Sequence, residues 1–124
     1  MEGAALKTEL VPYLVQRGHE VIDKGENAEA AGCAALVASS VISGEARAGI
    51  LISATGVGVS VAANRFDGIR ASVCPDTYAA GHGVREEGLN VLCLGSGSVG
   101  VELSKELAES FIKAISALKS TRCR

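Results

Sequence analysis

The feature that most constrains this chain is a set of short runs that are apolar at every position, spaced between longer stretches with helical periodicity. Gly49-Ile50-Leu51-Ile52 is the clearest of them. A strand with one face in water alternates apolar and polar residues, whereas a strand covered by helices on both faces is apolar throughout and belongs to a parallel sheet. Further strand candidates follow at Ile69 to Cys74 and Asn90 to Leu94, separated by Val57 to Asn64 and by a polar helical stretch from Asp76. Strands alternating with helices build βαβ units. The fold class expected is therefore α/β: a single doubly wound, Rossmann-like parallel sheet with helices on both faces, in three layers.

The flanking segments are less regular. Leu6, Leu10, Tyr13 and Leu14 recur at helical spacing before Gly18, but Pro12 falls inside that helix, where it costs about 3 kcal/mol or a kink. His19 to Asp23 is β-prone and predicts a strand. Ala28, Ala31, Ala35, Ala38 and Ile42 predict a helix with an alanine face, stopped at Gly44. Leu103, Leu107, Phe111, Ala114 and Leu118 predict a long amphipathic last helix. Because the chain opens on a helix, its sheet either starts at His19 to Asp23 or lacks a first strand.

Composition bounds the function. The 124 residues suit one domain spanning 1–124, and 48% hydrophobic residues suffice for a packed core. With two Phe, two Tyr and no Trp, that core is aliphatic and bases have almost no aromatic platform to stack on. Lys and Arg number 12 against 14 Asp and Glu, so no basic field steers a nucleic-acid backbone. No apolar run approaches the roughly 20 residues of a membrane span. Met1-Glu2-Gly3 begins neither a basic nor an apolar leader, and the expected compartment is the cytoplasm. Cys33, Cys74, Cys93 and Cys123 form no C-x-x-C pair and have no clustered histidines, so zinc and redox readings fail, and Cys74 and Cys93 are assigned to the core.

Ligands in open α/β sheets sit at the carboxyl ends of the strands. That rule points to three loops: Ser53 to Gly58, Cys74 to Thr77, and Gly95 to Gly100. Ser53-Ala54-Thr55-Gly56-Val57-Gly58 leads from a buried strand into a helix, and its glycines let backbone N–H groups approach a ligand, an anion or oxyanion cradle. The alternative is a tight turn that needs glycine only for positive φ. Gly95-Ser96-Gly97-Ser98-Val99-Gly100 fits G-x-G-x-x-G, yet a dinucleotide fingerprint requires a following strand ending in an acid about 20 residues on, and the chain finishes within one helix. Nucleotide binding is accordingly the minor reading. His19, His82 and Glu86-Glu87 belong to no motif, and the last of these reads most simply as a solvated face.

Several segments, in order, resemble one family. Arg17-Gly18-His19-Glu20-Val21-Ile22-Asp23-Lys24-Gly25, Gly49-Ile50-Leu51-Ile52, Thr55-Gly56-Val57-Gly58 with Ser60, Ala62-Ala63-Asn64, Gly68-Ile69-Arg70-Ala71 and Asn90-Val91-Leu92-Cys93-Leu94-Gly95 are similar to ribose-5-phosphate isomerase type B, a family that includes the galactose-6-phosphate isomerase subunits. The resemblance implies an aldose–ketose isomerase acting on a phosphorylated sugar through a cis-enediolate, with no metal and no cofactor. It also implies a homodimer or higher oligomer with sites shared between chains, or a hetero-oligomer.

The resemblance assigns residues one by one. Ala54, Thr55, Gly56, Val57 and Gly58 match the substrate-cradling loop, with alanine in place of its first glycine, and Asn64 joins them as a substrate-binding position. Ser53 stands at the base position, where the family carries cysteine, and a hydroxyl gives up its proton far less readily than a thiol. A subgroup places a glutamate base four residues beyond Thr55, at what is Val59 here. Glu86 aligns with the ring-opening histidine and Glu87 with the asparagine after it. Gly97 replaces a phosphate-binding arginine, for which Arg122 and Arg124 are loose substitutes. The family's first strand, with its Asp-His pair, and the loop following Lys24-Gly25 have no counterpart. These departures favour two accounts side by side: an isomerase of impaired activity, or a non-catalytic or half-site subunit completed by a partner chain.

Overall fold

The computed structural model describes residues 2–25 and 29–118. The elements run α1 (Glu2–Gln16), α2 (Ala30–Ser43), β1 (Gly49–Ser53), α3 (Val57–Ala63), β2 (Ala71–Val73), α4 (Thr77–Glu87), β3 (Val91–Gly95) and α5 (Val101–Ala117). Three strands form one parallel sheet in the order β1-β3-β2. Gly49 pairs with Val91 and Ser53 with Gly95 on one side of β3, and Ala71 pairs with Val91 on the other.

β3 is buried at all five positions because both of its faces are covered. Leu92 and Leu94 turn toward Leu6, Leu10 and Leu14 of α1, Ala80 and Val84 of α4, and Leu107 and Phe111 of α5. Val91 and Cys93 turn the other way, onto Ala34 and Ala38 of α2 and Val59 and Ala63 of α3. This is the three-layer arrangement that uniformly apolar runs require.

The helices also explain themselves locally. The Asp76 side chain caps α4 by accepting the Ala79 N–H at 2.8 Å, and Gly44 closes α2 at φ 86°, a left-handed conformation that suits glycine. α1 continues through Pro12, which lies on its exposed side. Burying Leu6, Leu10 and Leu14 contributes about 1.5–3 kcal/mol each, which outweighs the proline's cost of about 3 kcal/mol.

Two expectations are corrected. The buried face of α2 is Ala34, Ala38 and Ser40 with Val37 and Val41 beside it, while Ala31 and Ile42 of the predicted stripe point to solvent. The helical period was right but its phase was shifted, because alanine tolerates either face; Ala28 lies outside the described residues. His19 to Asp23 is not a strand of the sheet. Side chains hold this stretch instead: His19 Nε2 lies 3.1 Å from Glu109 Oε1, Lys7 donates to Asp23 at 3.0 Å, and Lys24 donates to Glu45 at 3.3 Å. Asp23 accepts the Gly25 N–H, and that bond, followed by the one from Lys7, lowers its carboxyl below the ordinary value. A groove of about 540 Å³ lies between this stretch and β1, lined by Leu10, Leu14, Val21, Ile50, Ile52 and Phe111 among others.

Cys74 and Cys93 are in the core as expected. Burial pushes the Cys93 thiol up to about 12, with Cys74 adding to the effect. Among the described residues no helix is long and apolar enough to cross a membrane.

Candidate functional site

The turn after β1 is held from inside and from outside. Inside it, the Ser53 hydroxyl accepts the Gly56 N–H at 2.9 Å and Thr55 Oγ1 accepts the Val57 N–H at 3.2 Å. Gly56 takes φ 81°, a left-handed conformation that suits glycine, at the point where the chain turns into α3. From outside, the loop after β3 donates back: Ser96 N–H to Ser53 O at 2.8 Å, Ser96 Oγ to the same oxygen at 3.3 Å, and Gly97 N–H to Ala54 O at 2.8 Å. The sheet's pairing of Ser53 with Gly95 brings the two loops together.

Ala54, Thr55, Val57 and Gly58 are exposed and Ser53 is half-buried, so the turn is open to a ligand. Among the described residues the N–H groups of Thr55 and Gly58 have no hydrogen-bond partner, while those of Gly56 and Val57 are met by the turn's own hydroxyls. A ligand oxygen thus finds two amides ready and can draw two more from hydroxyls that are weaker acceptors than an oxyanion. No carboxylate or imidazole among the described residues accepts the Ser53 proton, so nothing nearby activates that hydroxyl. Val59, the alternative base position, is 1% exposed and packs in the core.

The remaining expected site residues lie elsewhere in the chain. Asn64 follows α3 and binds the backbone of Ala71, at the amino end of β2. Glu86 and Glu87 end α4, and the Glu87 carbonyl accepts from Arg70 at 3.3 Å, beside the same amino end. Four residue steps of β3 separate that end from the turn, about 13 Å along the strand. Asn64 and Glu87 do share a hollow of about 440 Å³ along β2 with Arg70 and Ser72, but neither this hollow nor the groove beside β1 includes Ser53 to Gly58. Within one chain the structure gathers Ser53 to Gly58 and leaves Asn64, Glu86 and Glu87 at the far end of the sheet.

Sequence reasoning missed Ser96 and Gly97 as supports of the turn. The signal was present, since Gly95 to Gly100 was marked as a carboxyl-end loop, but its glycines suggested nucleotide binding. Two of its amides are in fact occupied by Ser53 O and Ala54 O. Arg122 and Arg124 lie outside the described residues.

Fold and turn together define a three-layer α/β protein whose sheet presents an amide-lined turn at its carboxyl edge. The chain belongs to the ribose/galactose isomerase family, whose pattern matches residues 1–122. Ribose-5-phosphate isomerase B of Escherichia coli is 47% identical over 116 residues, covering 90% of this chain and 78% of that protein. Ribose-5-phosphate isomerase B of Clostridium thermocellum superposes with a TM-score of 0.86 at 39% identity, over 90% of this chain and 78% of the other. The Mycoplasma genitalium enzyme, solved with bound ribulose-5-phosphate, gives 0.83 at 31% identity, with coverage of 90% and 78%. The chain is thus of the sugar-phosphate isomerase type.

Proposed function

We propose that this chain interconverts an aldose and a ketose carrying a phosphate, of the ribose 5-phosphate and ribulose 5-phosphate kind. The observation that carries the reading is the Ser53–Gly58 turn, which lies at the carboxyl end of the sheet with its backbone pinned by Ser96 and Gly97 and with no partner to the Thr55 and Gly58 N–H groups among the described residues. The relatives named above as ribose-5-phosphate isomerases support the choice of substrate class.

The chemistry needs no electron acceptor. A base takes a proton from the carbon beside the carbonyl and the electron pair moves onto the carbonyl oxygen to give a cis-enediolate. The adjacent hydroxyl's proton then passes to that oxygen as the base returns its proton to the former carbonyl carbon. The Thr55 and Gly58 N–H groups hold the developing oxyanion, joined by Gly56 and Val57 as their hydroxyl contacts yield. Ser53 stands at the position that receives the carbon-bound proton. As an unactivated hydroxyl it does so poorly, so turnover is slow and Ser53→Cys raises it. Substrate is a small sugar phosphate met in the cytoplasm.

A second reading is favoured by the separation of Glu86 and Glu87 from the turn. In it this chain is a half-site subunit, and the groups its turn lacks come from a different, related partner chain. The reading predicts that the purified chain alone is inactive and gains activity when a homologous chain is added.

A coupled assay of ribose 5-phosphate turnover tests both. Activity in the native chain that drops in Ser53→Ala and Glu86→Ala supports the assigned roles. Activity that survives both substitutions removes them.

A further inference from the structure

Gly95 ends β3 in register with Ser53, on the strand face that carries Val91 and Cys93 toward α2 and α3. Its backbone conformation is one that any residue adopts, since its φ is not positive. Space, not conformation, is what a side chain would lack there. A Cβ on Gly95 would stand 2.5 Å from the Thr55 carbonyl oxygen, 2.6 Å from its carbonyl carbon and 2.9 Å from its Cα. All three atoms are backbone, and ordinary carbon contacts are about 3.5–4.0 Å.

The Thr55 peptide has little freedom to move away. Ser53 O and Ala54 O are tied to the loop after β3 by bonds of 2.8 Å each, and Gly56 N–H is tied to Ser53 Oγ at 2.9 Å. We infer that Gly95 is a positioning residue for the turn: its bare backbone lets β3 lie flush against the Thr55 peptide, and that fit sets where the Thr55 to Gly58 amides point. The inference rests on the isomerase reading for its kinetic consequence, though not for its structural one. Gly100 provides the contrast, since a Cβ there meets nothing within 4 Å.

The test compares Gly95→Ala with Gly100→Ala and with Val84→Ala, a core truncation in α4 on the opposite side of the sheet. Misplacing catalytic groups by about 1 Å costs about 100-fold. Gly95→Ala is therefore expected to lower kcat on ribose 5-phosphate by about 100-fold with KM changed less than about threefold. Val84→Ala, even where its melting temperature is the lower of the two, keeps kcat, and Gly100→Ala leaves both constants unchanged. A loss of kcat in Gly95→Ala no greater than in Val84→Ala overturns the inference. Should the native chain turn over no sugar phosphate, alone and with an added homologous subunit, the isomerase reading fails by itself, and backbone amide chemical shifts decide the positioning claim. Shifts in Gly95→Ala concentrated at Ser53 to Gly58 support it, and shifts confined to β3 and α5 refute it.

Discussion

Asn64 pairs with Ala71 much as one strand residue pairs with another: the Ala71 N–H reaches Asn64 Oδ1 at 2.7 Å, and Asn64 Nδ2 donates to Ala71 O at 2.8 Å. The carboxamide supplies β2 with the partner it lacks on its outer edge and ties the end of α3 to the start of that strand. Asn64→Ala is expected to cost about 1–3 kcal/mol, two hydrogen bonds with one left partly buried and unmet. Urea denaturation measures the loss. KM for the sugar phosphate should stay unchanged, since the carboxamide is occupied and distant from the turn.

Gly56 sits at φ 81°, and a Cβ there would lie 3.1 Å from Leu94 C and Val73 Cγ2 and 3.2 Å from Gly95 N. Gly56→Ala meets both the left-handed conformation and the crowding, so destabilisation of about 1–3 kcal/mol is expected. Activity should fall further than stability does, because the amides of the turn move with it. A thermal melt beside the kinetic constants separates the two.

The Cys93 thiol, raised to about 12 by burial and by Cys74, ionises near 9 once the chain unfolds. Between those values the folded chain holds a proton that the unfolded chain has released. Stability therefore declines as pH rises from 9 toward 12, by at most about 1.4 kcal/mol per pH unit for this group. Cys74, raised by burial and then by Asp76, acts in the same direction. Cys93→Ala should flatten the decline, measured as the slope of unfolding free energy against pH.

Leu92 is fully buried in β3, while Ile50 of β1 is half-buried and faces the groove beside residues 18–25. Leu92→Ala should cost about 2–5 kcal/mol as a core truncation. Ile50→Ala should cost clearly less, because part of the removed surface already meets solvent. Equal costs would mean that the groove is filled.

The architecture was legible because two-sided apolar runs allow few alternatives: Gly49 to Ile52 and Asn90 to Leu94 lie within a residue of β1 and β3. Ile69 to Cys74 contains a strand of only three residues, since pairing with β3 stops at Val73. His19 to Asp23 looked like a strand because local β propensity is silent about whether a partner edge lies within reach. In α2, alanines on several faces hid the phase that Val37 and Val41 reveal. The Ser53–Gly58 turn was readable from its glycines and its place after a strand. Its supports were not, because the bonds from Ser96 and Gly97 depend on which loops the strand order β1-β3 brings together.

The central claim is that this turn stabilises an enediolate, and proton NMR of ribose 5-phosphate incubated with the purified chain in D2O tests it most directly. The account predicts ribulose 5-phosphate signals growing in, together with loss of the C2 proton signal of the aldose, both slower in Ser53→Ala. A folded native chain that leaves the spectrum unchanged, alone and with an added homologous subunit, would contradict it.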